Sequence, residues 1–149
     1  SDPELDLAIL KINLGGIVVA HSGLGVRIPD VGEGIIVMGY QLGISGMLAR
    51  AGPDFLTDID SESALSAWEV VDRLAEQGYI KPLASRGIVS QLSDQFIVYD
   101  AETTIGGSGG PVFSLDGKVV GVNTAIMKEF GGSNLGIPAI HASRLLESL

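Results

Sequence analysis

The stretch that most limits the possible folds is residues 105–126. It opens with Ile105-Gly106-Gly107-Ser108-Gly109-Gly110-Pro111, a glycine loop around one serine. Glycine and serine alone would describe a flexible linker. The downstream residues argue against one: Pro111-Val112-Phe113-Ser114-Leu115, then Asp116-Gly117, then residues 118–126 predict a strand, a tight turn and a second strand. Glycines permit a φ-positive backbone that can turn neighbouring N–H groups into one hollow. A serine that attacks a carbonyl creates an oxyanion, and such amides stabilise it. Ser108 is therefore the candidate nucleophile. The amides of Gly106 and Ser108 are the candidate oxyanion hole, with Gly109 and Gly110 leaving room for a substrate strand.

Residues 106–126 (GGSGGPVFSLDGKVVGVNTAI), together with residues 134–146 (NLGIPAIHASRLL), resemble the trypsin-like serine proteases and, within them, the HtrA/Deg-type branch. The resemblance implies an all-β chain: a trypsin-like six-stranded antiparallel Greek-key barrel, the second of a double-barrel fold, with an inserted helix and a C-terminal helix. It implies a polypeptide substrate, an acyl-enzyme on Ser108, and no metal or cofactor. It further implies that Asn123, Thr124 and Ala125 pair with the substrate backbone as an added strand. Glu102 stands six residues before Ser108, where trypsin-like enzymes carry the acidic residue that selects basic side chains. The HtrA-type loop is shaped differently, and Leu135 and Ile137 would line an apolar pocket for small aliphatic groups. Gly107 departs from the family, which usually carries Asp or Asn there to fix the loop.

Upstream, residues 6–12 predict an apolar strand headed by Asp6. In the resembled family this aspartate orients the catalytic histidine and stabilises it when protonated. A turn-forming aspartate at a strand entry is the alternative, and Asp2 is the weaker triad candidate. Chymotrypsin-type chains run His, Asp, Ser, yet both histidines, His21 and His141, come after Asp6. Both read as structural or surface residues, so no residue here fills the general-base role. The expected organisation is residues 1–30 as the last strand or strands of a first barrel with the inter-barrel connection, and 31–149 as the second barrel. Such a fragment is expected to be inactive alone and open to self-association through first-barrel edges. The resemblance suggests an extracytoplasmic setting, in a bacterial envelope or secreted.

Residues 44–82 are an insertion that the HtrA-type pattern mostly lacks. A helix is predicted over 61–77, capped by Asp60 or Ser61 and ended by Gly78, with Leu65, Trp68, Val71, Leu74 and Ala75 on one face. It reads either as a helix anchored on the barrel by Trp68 or as a lid over the cleft. Further strands are predicted at 31–40, 84–92 and 96–101, with Asp100 in a structural hydrogen bond.

Composition closes off other classes. A formal charge of −9 with nine scattered basic residues argues against nucleic acid. Mean hydropathy is +0.38, yet no apolar run approaches the roughly 18 residues that a bilayer span needs. The absence of cysteine removes disulfides and thiolate metal sites. Two other classes remain: a pseudo-protease that binds extended peptides without chemistry, and an interaction module built on the acidic helix.

Overall fold

A computed structural model describes residues 1–25, 27–61, 65–127 and 133–149, with the backbone alone at 125–127. Its strands are β1 (Gly34–Gly39), β2 (Leu83–Leu92), β3 (Ile97–Tyr99), β4 (Pro111–Ser114), β5 (Val119–Met127) and β6 (Ser133–Pro138). β1, β2 and β3 lie in sequence order around an antiparallel barrel. The chain then crosses to set β4 on the other side of β1, returns through β5, and closes β6 onto β3. This is the expected Greek-key barrel.

Alternation builds its interior. Successive side chains on a strand face opposite ways, so Ile35 and Val37 on β1 point inward, where Val89, Ile97, Tyr99, Val112 and Val120 meet them. The Asp116-Gly117 turn forms as its sequence demands. Gly117 adopts φ 82, and the Ser114 amide donates to the Lys118 carbonyl at 2.9 Å.

The insertion departs from expectation. Among the described residues three helices, not one, lie between β1 and β2: α1 (Gly43–Ala51), α2 (Pro53–Ser61) and α3 (Ala67–Glu76). Pro53 opens α2, a position where proline's missing N–H costs no helical bond. α3 begins later than predicted because Ser66 caps it. The Ser66 hydroxyl accepts from the Glu69 amide at 3.3 Å, and the Glu69 carboxylate accepts from the Ser66 amide at 2.7 Å, a reciprocal capping box. Residues 62–64 of the predicted helix lie outside the described residues. Trp68 is not an anchor, for it is 78% exposed. The inward face carries Val70 and Leu74, which pack with Met47, Ala51 and Phe55 in a second core separate from that of the barrel. Phe55 meets Tyr79 edge-on at 5.1 Å. α4 (Ala139–Glu147) packs on β5 and β6, as predicted for the closing helix.

Residues 6–12 carry no strand. Asp2 and Leu7 exchange backbone hydrogen bonds of 2.7 and 3.0 Å, closing a turn in which Asp6 takes a left-handed φ of 52. Leu10, Ile12 and Val18 stay exposed. An apolar segment becomes a strand only when a neighbour takes its N–H and C=O groups, and among the described residues none pairs with the backbone of residues 8–12. Leu24 makes only an isolated bridge to Val119. Among the described residues no helix is long and apolar enough to cross a membrane.

Candidate active site

Ser108 projects from the loop between β3 and β4, and backbone hydrogen bonds fix that loop on both sides. Gly107 donates to Thr104 at 3.0 Å and Gly110 to Gly107 at 3.1 Å. Gly109 donates to the Asn123 carbonyl at 2.7 Å, and Asn123 donates to the Gly110 carbonyl at 2.8 Å. From the root of the helical insertion, the Leu42 amide reaches the Ile105 carbonyl at 2.7 Å. The glycines are required by both conformation and space. Gly106 sits at φ 92, and a Cβ there would come within 2.9 Å of the Tyr40 carbonyl oxygen.

Two donors of this loop stay unspent. The amides of Gly106 and Ser108 give no hydrogen bond to any acceptor among the described residues. The Ser108 hydroxyl donates to the Thr124 carbonyl at 3.0 Å. The Thr124 hydroxyl in turn donates to Asp6 Oδ2 at 3.4 Å. Asp6 and Ser108 are thereby brought to one strand position, although the segment carrying Asp6 is a turn. Beside Ser108 lies a cleft of about 460 Å³ whose walls include Met38, Tyr40, Pro82, Pro111 and Phe113.

The other predicted residues take varied places. Asn123 is buried, and its main chain is already engaged with Gly109 and Gly110. Thr124 carries the two contacts just described, and Ala125 lies opposite Leu135 of β6 across a register shift. Glu102 is exposed, and its carbonyl accepts from the Ser85 hydroxyl. Leu135 and Ile137 are not brought to the cleft at Ser108. Leu135 lines a separate one of about 410 Å³ with Phe96 and Val98, and Ile137 is fully buried.

Neither histidine is bonded to Ser108 or Asp6. His21 is exposed, and His141 pairs through Nε2 with the Asp94 carbonyl at 2.6 Å. Asp100 accepts from the Ile88 amide at 2.7 Å, the structural bond expected of it. The residues that sequence reasoning missed are the cleft walls Met38, Tyr40 and Phe113 and the loop support from Leu42. They come from β1, the turn that follows it and β4, and read locally as ordinary strand and turn residues.

Residues 1–122 match the family model described as a trypsin-like peptidase domain. The chain belongs to the trypsin-like peptidase family. Two similar proteins are each described as a probable periplasmic serine endoprotease, DegP-like. The one from Bartonella henselae is 32% identical over 154 residues, covering 100% of this chain and 25% of the relative. The one from Brucella suis is 30% identical over 156 residues, covering 100% and 24%. This trypsin-like peptidase chain thus spans about a quarter of the length of the curated relatives that it matches. The crystal structure of the serine endoprotease from Yersinia pestis superposes with a TM-score of 0.67 at 21% identity, over 99% of this chain and 41% of that one. That likeness bears on the fold: the barrel is trypsin-like. The family match thus makes this a trypsin-like peptidase domain, and the chain is similar to proteins described as DegP-like serine endoproteases.

Proposed function

We propose that this chain is the nucleophile-bearing barrel of a serine endopeptidase that cleaves polypeptides through an acyl-enzyme on Ser108. One observation carries the reading: Asp6 and Ser108 converge on Thr124 beside two unspent loop amides. The general base is a histidine from outside residues 1–149, standing between the Asp6 carboxylate and the Ser108 hydroxyl. In that arrangement Ser108 Oγ bonds to the scissile carbonyl carbon as its proton passes to the imidazole. The carbonyl electron pair moves onto oxygen and is held by the Gly106 and Ser108 amides. Each such donor is worth about 100- to 1,000-fold in rate. Collapse breaks the C–N bond, the imidazole returns its proton to the leaving amine, and water repeats the sequence to release the acid.

In this reading the substrate chain lies along β5 at Thr124 and Ala125, while the leaving segment enters the cleft beside Tyr40 and Phe113. The setting is extracytoplasmic, in keeping with relatives described as periplasmic. Residues 1–149 alone are inactive, because serine without a base is a poor nucleophile at neutral pH. A second reading, a peptide-binding barrel without chemistry, is favoured by one fact: neither imidazole of this chain is bonded to Ser108.

Fluorophosphonate labelling of the full-length protein decides between them, with Ser108→Ala as control and residues 1–149 alongside. Labelling of the full-length protein alone, abolished by Ser108→Ala, supports the peptidase. A folded full-length protein that takes no label points to the peptide-binding barrel.

A further inference from the structure

Residue 107 is where this chain departs from the pattern it resembles, and the structure gives that position an unusual neighbourhood. Gly107 is buried. A Cβ built on it would collide with Thr103 Oγ1 and stand 3.2 Å from Asn123 Nδ2. Besides the Thr104 carbonyl oxygen at 3.1 Å, the volume that a side chain at 107 would enter is already occupied by polar side-chain atoms from two other residues. Those atoms belong to one chain of hydrogen bonds. The Tyr99 hydroxyl, deep in the barrel, donates to Asn123 Oδ1 at 2.5 Å. Asn123 Nδ2 then donates to Thr103 Oγ1 at 3.3 Å. The first bond orients the Asn123 amide, since an oxygen that accepts from Tyr99 leaves the NH₂ for Thr103.

We infer that Tyr99, Asn123 and Thr103 are positioning residues for Ser108, bracing the nucleophile loop from inside the barrel in place of a side chain at residue 107. This rests on the reading of Ser108 as nucleophile. The brace reaches the loop on both sides of the serine. Thr103 lies on the upstream side, next to Thr104, whose carbonyl takes the Gly107 amide. Asn123 clamps the downstream side through its main-chain bonds to Gly109 and Gly110. Between these supports the backbone at Gly106-Gly107 has the widest conformational freedom of any residue type. Loss of the Tyr99 hydroxyl would leave Asn123 Oδ1 buried without its donor and free the amide to turn, so that Thr103 is no longer held. The oxyanion amides would lose their aim without any change in the residues that touch substrate. Burial pushes the Tyr99 phenol above its ordinary pKa, so it remains a donor wherever the enzyme would work.

The test uses the full-length protein and three readouts: labelling rate, the split of kcat from KM on a peptide substrate, and amide exchange at Gly109. Tyr99→Phe and Thr103→Val are each expected to slow labelling at least tenfold and lower kcat at near-constant KM. Exchange at Gly109 should quicken while Tm shows the barrel still folded. Thr103→Ser should restore most of the labelling rate. Gly107→Asn should slow labelling alone and recover in part when combined with Thr103→Ala, which removes the atom nearest to the new Cβ. Unchanged labelling and unchanged exchange in folded Tyr99→Phe would overturn the inference. So would a loss that only tracks the unfolded fraction. If the wild type itself takes no label, the nucleophile reading falls, and exchange at Gly109 decides the brace: faster in Tyr99→Phe upholds it, equal rates overturn it.

Discussion

Asp6 and Ser108, separated by most of the chain, hold the same residue from two sides. The Thr124 hydroxyl reaches the Asp6 carboxylate at 3.4 Å, while the Thr124 carbonyl accepts from Ser108 at 3.0 Å. A carboxylate in that position can fix an imidazole at the serine and offset its charge when it protonates.

Asp6→Asn isolates that charge. Asparagine tolerates the left-handed backbone at Asp6 as aspartate does, so Tm should hardly move. In the full-length protein kcat/KM on a peptide substrate should fall by about four orders of magnitude. A loss under tenfold would show that Asp6 is only a turn former.

Gly106→Ala combines two costs. The residue is held at φ 92, and the new Cβ would lie 2.9 Å from the Tyr40 oxygen. The strain is worth about 1–3 kcal/mol, to be read by denaturant titration. Relief by moving the loop takes one amide off the proposed oxyanion position, and labelling should slow by about 100-fold or more.

Leu74→Ala asks how independent the helical unit is. Leu74 is fully buried in the core that α1, α2 and α3 share, and its truncation costs about 2–5 kcal/mol. Hydrogen exchange should quicken throughout α1, α2 and α3 while β1 to β6 keep their protection. Equal loss across the barrel would show one cooperative unit.

Glu33 supplies an acid-dependent term. The Arg27 guanidinium, at 2.6 and 2.8 Å, and the Asp30 amide, at 2.9 Å, hold its carboxyl down at about 2 from an ordinary 4.5. A lowered native value favours the folded state above the ordinary value and loses that effect as pH falls through the native one. The Tm gap between wild type and Glu33→Gln should be constant above about pH 5 and close toward about pH 2. Because the Arg27 side chain is 57% exposed, the gap should be small and shrink with salt.

The barrel was legible because its signals are local. Alternation gives Ile35 and Val37 their inward face, and Asp116-Gly117 marks its own turn whatever surrounds it. The helical insertion was less so. A helical period identifies an apolar stripe but not its partner, so Trp68 could be assigned to a face that the neighbouring helices do not cover. The cap was misplaced at Asp60 or Ser61, whose oxygens suit that role as well as Ser66's does, and the Glu69 three residues after Ser66 is the signal that separates them. Residues 6–12 read as a strand because pattern records burial tendency, whereas a strand also needs a partner. Within the site, the loop and Asp6 could be singled out by residue type and order. Tyr99, Thr103 and Asn123 could not be joined, because hydroxyls and amides in strands look alike until register decides which of them face one another.

Gly39 and Leu83, the residues that bracket the helical unit, are direct cross-strand partners at the end of β1 and β2. Everything between them is the tip of a hairpin. Lengthening such a tip costs only about 0.6 kcal/mol for each doubling once its ends are fixed, and the unit brings its own apolar interior. Chain length at this point is therefore nearly free to drift over evolutionary time. Because the same tip supplies Leu42 to the Ile105 carbonyl, whatever is grafted there gains a lever on the turn that carries Ser108.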